Sequence, residues 1–152
     1  MVSPDIDKYT KKYKFGRMEA RAVRGDQTAA PAEPRTSDVA KRAFFRIADL
    51  WQVSPEQMRV LLGGPSRSTF YAWKKGEGGL LPRDTLERVS YVLGIYKGLQ
   101  VLFPDSRQAD AWIHKPNDAF GGRSALDRML AGNVADLHAV RAYIDYVRGG
   151  LS

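Results

Sequence analysis

The segment GGPSRSTFYAWKKGEGG, residues 63–79, decides the fold, because two glycine clusters bracket a short stretch of hydroxyl, aromatic and basic residues. Ser66 can cap a helix that runs to about Lys75, where the second glycine cluster ends it. At about 100° per residue, Phe70 and Trp73 fall on one side together with Thr69 and predict the buried face. The segment therefore predicts one short helix between two glycine turns.

Two helices are predicted before this segment. The first is expected to begin with Ser37 or Asp38 as its N-cap, and its apolar residues recur at spacings of three and four: Val39, Ala43, Phe44, Ile47, Leu50 and Trp51. The second has Ser54 as N-cap, Pro55 at its first position and Gln57 in place to complete a capping box. Two short helices joined by a glycine-containing turn are typical of the helix-turn-helix motif.

Helical patterns continue after the segment. RDTLERVSYVLG after Pro82 predicts a fourth helix, and IYKGLQVLFPD, which Gly98 weakens, is expected to join two domains. Ser106 is the predicted cap of the next helix, and Ser124 with Asp127 predicts a capping box before another. A last helix is predicted to bury Leu137, Val140, Ile144 and Val147. Because no segment shows strand periodicity, the predicted fold is all-α: a helix-turn-helix domain followed by a small helical domain.

The chain of 152 residues carries a net charge of +7 and contains no cysteine. The charge is +3 over residues 1–35, +4 over 36–98 and 0 over 99–152, which indicates a polyanionic partner for the front of the chain. No apolar run is long enough to span a membrane, and the first 20 residues do not resemble a signal peptide. We therefore expect a soluble protein of the cytoplasm, in which disulfides and thiolate chemistry play no part.

The composition divides the chain into three parts. Residues 1–37, with GDQTAAPAEPRTS, are predicted to be a flexible basic arm. Residues 38–98 are predicted to form the helix-turn-helix domain and residues 99–152 the second domain. The piece KYTKKYKFGR in the arm interleaves aromatic and basic residues that could contact phosphates, although an ordinary solvated tail explains it as well.

The outward face of the third helix is the candidate DNA reader. Arg67 can bond to guanine O6 and N7, Ser68 to a base edge or a phosphate, and Lys74 and Lys75 to phosphates. The helix N-terminus also favours a phosphate. The alternative is a solvated basic face without a function. The full candidate set is Ser66, Arg67, Ser68, Thr69, Tyr71, Lys74 and Lys75.

Several motifs of the second half, in order, are specific: LFPD, AWIHKPN, FGGRSALDRMLAG and VADLHAVRAYIDYVRGG. With PSRSTFYAWKKG and LPRDTLERVSYVLGIYKGLQVLF before them, the chain resembles the Xre/MbcA/ParS antitoxins over about residues 38–152. This resemblance implies an Xre-like helix-turn-helix domain and a C-terminal domain that binds a RES-domain toxin, which consumes or transfers from NAD+. It also implies that the antitoxin covers the toxin's active site and represses its own operon.

The resemblance further implies which exposed residues meet the toxin: Asn117, Arg123, Arg141, Arg148, Gly149, Gly150 and Leu151. Leu151 departs from the pattern, because a tryptophan is expected after the two glycines. The residues Trp112, Leu126, Met129 and Val140 match the family pattern but are interpreted as core. An ordinary helix end would explain Gly149 and Gly150 without any partner.

Two other classes of function stay open. The first is a stand-alone helix-turn-helix transcriptional repressor whose C-terminal domain only dimerises. The second is an enzyme, which the sequence supports poorly: the two histidines, His114 and His138, are 24 positions apart, and no metal-ligand, nucleophile-base or phosphate-loop spacing occurs.

We expect no catalytic residue, no metal and no cofactor, and we expect a homodimer that binds operator DNA and assembles with its toxin.

Overall fold

The computed structural model describes residues 34–149, and this part of the chain is all-α, as predicted, with no β-strand. Most of the predicted basic arm lies outside the described residues, as do Gly150 and Leu151. The described helices are α1 (Pro34–Leu50), α2 (Pro55–Leu61), α3 (Arg67–Lys74), α4 (Arg83–Leu102), α5 (Ser106–Trp112), α6 (Ala125–Met129) and α7 (Val134–Gly149), with a 3-10 turn at Asp118–Phe120.

Local hydrogen bonds explain where most of these helices begin. Ser54 and Gln57 form the predicted capping box at α2, and Ser124 and Asp127 form the predicted one at α6. Ser66 caps α3 through a bond from the Thr69 N–H to its Oγ. These caps could be predicted because each one joins residues only three positions apart.

Two predicted caps are wrong. Ser37 lies inside α1, which begins at Pro34, and its buried Oγ accepts a hydrogen bond from the Leu81 N–H at 3.0 Å. Ser106 is the first residue of α5, while Asp105 before it is the N-cap and accepts from the Arg107 N–H at 2.9 Å. In the first case a distant partner uses the hydroxyl, and in the second an equally good cap stands one position earlier.

Helix α4 runs without a break from Arg83 to Leu102, so residues 95–102 continue the fourth helix instead of forming a separate connection. Gly98 does not interrupt this helix. It lies where α7 crosses α4. A Cβ at Gly98 would lie 2.5 Å from Cγ2 of Ile144, and one at Gly94 would meet the Arg141 guanidinium. The two glycines therefore let α4 and α7 approach closely.

A single hydrophobic core extends through the described residues and includes both halves of the chain. It contains Phe44, Ile47 and Trp51 of α1, side chains along α4, and Leu137, Val140 and Ile144 of α7. Val147, also predicted to be buried, is only half-buried near the end of α7. Helix α4 thus serves as the central helix on which α1, α5 and α7 pack, while α3 packs on α1 and α6 on α7.

Candidate functional site

The turn between α2 and α3 is closed by the glycines at its centre. Gly63 and Gly64 have φ values of +98° and +76°, and the Gly64 N–H donates to the Arg59 carbonyl at 2.8 Å. The Arg59 guanidinium then donates from Nε and Nη2 to the Pro65 carbonyl, at 3.1 and 3.0 Å. These bonds fix the direction in which α3 leaves the turn.

Helix α3 presents its polar side to solvent as predicted. Phe70 and Trp73 are buried, whereas Ser66, Arg67, Ser68, Tyr71, Lys74 and Lys75 are exposed and Thr69 is half-buried. The Ser66 hydroxyl lies 3.0 Å from the Thr69 hydroxyl and 3.2 Å from the Ser68 hydroxyl. The structure therefore brings the three predicted hydroxyl groups together at the first turn of α3, beside Arg67.

An acidic residue that the segment itself does not contain faces Arg67. Glu56, in the first turn of α2, accepts a hydrogen bond from Arg59 Nη1 at 2.8 Å on Oε2, while its Oε1 lies 3.0 Å from Arg67 Nη2. The Arg67 side chain is 73% exposed, so most of its guanidinium faces solvent. Sequence reasoning missed Glu56 because it considered only the acids between the two glycine clusters.

A buried lysine holds the glycine loop that follows α3. Lys41 of α1 is 3% exposed, and its Nζ donates to the carbonyls of Glu77, at 2.9 Å, and Gly79. Gly78 lies against the indole of Trp73, since a Cβ at this glycine would come within 2.7 Å of Trp73 Cδ1. The loop is thus fixed to the core at the end where Lys74 and Lys75 are exposed.

After α5, a closed loop presents Asn117 and Arg123. The Asn117 N–H donates to the Arg123 carbonyl at 3.0 Å, and its Oδ1 accepts from the Ala119 N–H at 2.9 Å. Gly121 and Gly122, both with positive φ, complete the loop. Arg123 is exposed and Asn117 half-buried, so both predicted residues are accessible.

Three half-buried aromatic residues lie beside this loop. Trp112 stacks on Tyr143 of α7, with centroids 6.1 Å apart and planes 12° apart, and Phe120 packs edge-on against both. Tyr146, one helical turn further along α7, is 80% exposed. Sequence reasoning assigned Trp112 to the core and overlooked Tyr146. The only signal for Tyr146 was that a large aromatic residue falls outside the apolar stripe of its helix.

Arg141 and Arg148, the predicted toxin-binding arginines of α7, lie on a different side of this helix from Tyr143. Arg141 rests over Gly94 and donates to Asp145, and the Arg148 stem lies 3.6 Å from the Cβ position of Gly98. Arg141 and Tyr143 are about 160° apart around the helix. The structure therefore places the predicted toxin-binding residues in two groups: Asn117 and Arg123 with the aromatic residues, and Arg141 and Arg148 against α4. Gly149 is exposed at the end of α7.

The turn before α7 is held by an ionised carboxylate. Burial alone would raise the pKa of Asp136, but hydrogen bonds from Arg128 Nε, at 2.9 Å, and the Asn133 N–H, at 3.1 Å, outweigh it and lower that pKa. The buried Arg88 of α4 donates to the Gly132 carbonyl at 3.0 Å in the same turn. Arg88 also lies against Gly63, so one side chain touches both the α2–α3 turn and the α6–α7 turn.

Residues 34–149 contain neither a cluster of metal ligands nor a membrane-spanning helix. No group of three or more histidine, aspartate and glutamate side chains there is placed to hold a metal ion. No helix in that range is both long and apolar enough to cross a membrane. Both histidines are exposed, and His114 Nε2 lies 2.7 Å from the Trp51 carbonyl.

Comparison with known proteins assigns the two candidate surfaces to two successive domains. Residues 30–94 match the antitoxin Xre-like helix-turn-helix domain, and residues 98–150 match the antitoxin Xre/MbcA/ParS C-terminal toxin-binding domain. The chain is also similar to the uncharacterized protein y4oB of Sinorhizobium fredii (strain NBRC 101917 / NGR234), with 51% identity over 125 residues, which cover 82% of this chain and 91% of that protein. No solved structure matches the chain. In succession along one helical core, the chain therefore carries an antitoxin Xre-like helix-turn-helix domain and an antitoxin Xre/MbcA/ParS C-terminal toxin-binding domain.

Proposed function

We propose that the protein is the antitoxin of a type II toxin–antitoxin system. Its C-terminal part neutralises a RES-domain toxin that acts on NAD+ by covering the toxin's active site, and its helix-turn-helix domain binds operator DNA and represses the operon. The observation that carries the proposal is the succession of a helix-turn-helix domain and a toxin-binding domain in one chain. The proposal places the protein in the bacterial cytoplasm, where operator DNA and NAD+ are found.

The exposed side of α3 supports the part of the proposal that concerns DNA. Arg67 can pair with a guanine, and the hydroxyls beside it can bond to a base edge or a phosphate. Lys74 and Lys75, at the other end of the helix, suit phosphates. Because one small module binds weakly, we propose that a homodimer contacts two half-sites of an operator.

The accessible aromatic residues support the part that concerns the toxin. Large aromatic side chains and arginine are the residue types that contribute most to binding at protein–protein interfaces. Tyr146 offers an exposed ring, and Asn117 and Arg123 lie in the same loop as Phe120, whose backbone bonds to both of them. We propose this face as the main contact, with Arg141, Arg148, Gly149, Gly150 and Leu151 as a second contact toward the active site.

Growth of bacteria that express a toxin tests the proposed function. A RES-domain toxin, the proposed partner, is induced alone or together with this chain, and colony counts and cellular NAD+ are measured. We expect the toxin alone to lower both, and co-expression to restore them. Continued toxicity despite a confirmed level of the antitoxin would refute neutralisation.

A stand-alone transcriptional repressor is the second candidate. Tyr146 favours it in one respect, because an exposed aromatic residue on α7 could equally pack on a second copy of the chain. This candidate predicts specific operator binding without protection from the toxin. Mobility shifts at several salt concentrations separate specific DNA binding from purely electrostatic binding, and the growth assay then separates the two candidates.

A further inference from the structure

Glu56 uses each of its two carboxylate oxygens for a different arginine. Oε2 pairs with Arg59 at 2.8 Å and Oε1 with Arg67 at 3.0 Å. Arg59 is itself anchored, because it also donates twice to the Pro65 carbonyl and its side chain is only 22% exposed. An anchored residue of α2 thus holds Glu56, and Glu56 holds Arg67.

The pairing leaves Arg67 able to bind a base. A guanidinium carries five N–H donors, and its contact with the carboxylate is made at Nη2, so the second N–H of Nη2 together with that of Nε or Nη1 remains to pair with guanine. A long exposed arginine without a partner can turn to any nearby phosphate, which contributes affinity but no sequence information. An arginine held at one nitrogen has fewer orientations, so less conformational entropy is lost when it pairs with guanine.

The negative charge of Glu56 also favours binding to one sequence over binding to any sequence. A carboxylate beside a DNA-facing helix repels phosphates and lowers the affinity for every sequence. Only a sequence with a guanine opposite Arg67 offsets this loss by direct pairing. Discrimination then comes from both an attractive contact and a repulsive one.

We infer that Glu56, positioned by Arg59, determines the base specificity of the helix-turn-helix domain by holding Arg67 for guanine and opposing binding to other sequences. The inference rests on the proposed DNA-binding function. Glu56 is in this account a positioning residue, because it acts through Arg67.

Selection from a library of randomised DNA duplexes tests the inference with the full-length protein. The wild type is expected to enrich a motif with guanine at the position that Arg67→Ala makes degenerate. Glu56→Gln keeps the shape of the side chain and removes its charge. We expect its preference for guanine to fall about tenfold, and its affinity for a duplex without the motif to rise about threefold to tenfold.

Two variants separate positioning from net charge. Asp118→Asn makes the same change of charge at an exposed residue of the toxin-binding part and should leave the guanine preference unchanged. Arg59→Lys keeps the charge but has one nitrogen in place of the three that bond to Glu56 and Pro65, so it holds Glu56 less firmly and should lower the preference. Thermal unfolding establishes that each variant is folded, since an exposed ion pair contributes little to stability.

The outcomes distinguish this inference from the proposed function. If the wild type enriches a motif and Glu56→Gln retains the full guanine preference, the role of Glu56 is refuted while DNA binding stands. An unchanged preference in Arg59→Lys refutes the positioning by Arg59. If the wild type enriches no motif, sequence-specific DNA binding falls, and the inference falls with it.

Discussion

Arg67 and Lys75 lie on the same exposed side of α3, but they differ in what they can recognise. A guanidinium can pair with two acceptors of one guanine, whereas an ammonium is a point charge suited to phosphates. We expect Arg67→Ala to cost about 1–3 kcal/mol on the preferred sequence and to relax specificity at one base pair. We expect Lys75→Ala to weaken binding to all sequences and to lower the salt slope by about one.

Titration of the operator and of a scrambled duplex at several salt concentrations measures both effects. Lys97→Ala is the matched control for the loss of one positive charge. Lys97 is a half-buried residue of α4 and is not part of α3. Equal losses of affinity for both duplexes in Arg67→Ala would show that this arginine does not read sequence.

Asp136 gives a prediction on pH, because its carboxylate is buried and accepts hydrogen bonds from Arg128 and Asn133. Its folded pKa is lowered, so its contribution to stability is complete above the unfolded pKa of about 4 and is lost as the pH falls through the lower folded pKa. We expect Asp136→Asn to lower the free energy of unfolding by about 1–3 kcal/mol at pH 7. This difference from the wild type should shrink as the pH falls below about 4.

Denaturant unfolding between pH 7 and pH 3 measures this difference. Asp118→Asn, at an exposed aspartate, should change the free energy of unfolding by no more than about 0.5 kcal/mol at neutral pH. A difference between wild type and Asp136→Asn that stays constant over this range would contradict the assigned titration.

Among the elements, α4 and α7 pack most closely where glycine replaces a side chain. A methyl group at Gly98 would meet Cγ2 of the buried Ile144, and overpacking of this kind costs about 1–3 kcal/mol. Alanine gains about 1 kcal/mol of helix propensity over glycine. We therefore expect Gly98→Ala to lower the free energy of unfolding by up to about 2 kcal/mol.

Gly94→Ala is the control for this prediction. Its methyl group meets the end of the flexible Arg141 side chain, which can move aside, so the gain in helix propensity should prevail. Denaturant unfolding compares the two variants. A Gly98→Ala protein at least as stable as Gly94→Ala would contradict the close packing described for α4 and α7.

The loop after α3 depends on α1 through Lys41. Replacing this buried lysine with methionine leaves the carbonyls of Glu77 and Gly79 without their donor, at a cost of about 1–3 kcal/mol. We expect faster hydrogen exchange at the amides of residues 76–80 in Lys41→Met. Arg42→Met, on the exposed side of the same helix, should change neither the stability nor the exchange. Unchanged exchange in Lys41→Met would show that other contacts hold the loop.

The contacts that sequence patterns predicted are the local ones. The capping boxes of Ser54 and Ser124 and the inward side of α3 follow from spacings of three and four. The contacts that escaped prediction join distant residues: Ser37 with Leu81, Lys41 with the glycine loop, and Gly98 with Ile144. A serine that caps and a serine that accepts from a distant amide look alike in sequence, as do a helix-weakening glycine and one at a helix crossing.

For the whole molecule, the two candidate surfaces belong to one helical core but use different residues. Arg67, Lys74 and Lys75 are on α3, while Tyr146 and Arg123 belong to the C-terminal part. We expect Tyr146→Ala to weaken toxin binding at least tenfold, as removal of a central aromatic contact does, and to leave DNA binding unchanged. We expect Lys75→Ala to weaken DNA binding and to leave toxin binding unchanged. If Tyr146→Ala weakened toxin binding and DNA binding equally, the two binding surfaces would not be independent of each other.

The candidate site could be predicted from sequence only in part. The DNA-facing residues form one exposed group because a single helix carries them all. The predicted toxin-binding residues come from a loop and from two sides of α7, and their separation depends on how α7 packs on α4. Tyr146 and Glu56 could be recognised only after the fold had shown an exposed ring and a neighbouring arginine.

Binding of the full chain to a RES-domain toxin, the proposed partner, tests the central claim most directly. Calorimetric titration, with native mass measurement for the stoichiometry, gives the affinity of the wild type and of Tyr146→Ala. We predict a stable complex with the wild type and at least tenfold weaker binding with Tyr146→Ala. The absence of any complex between the folded wild-type chain and a folded, active toxin at micromolar concentrations would contradict the proposal that this chain is its antitoxin.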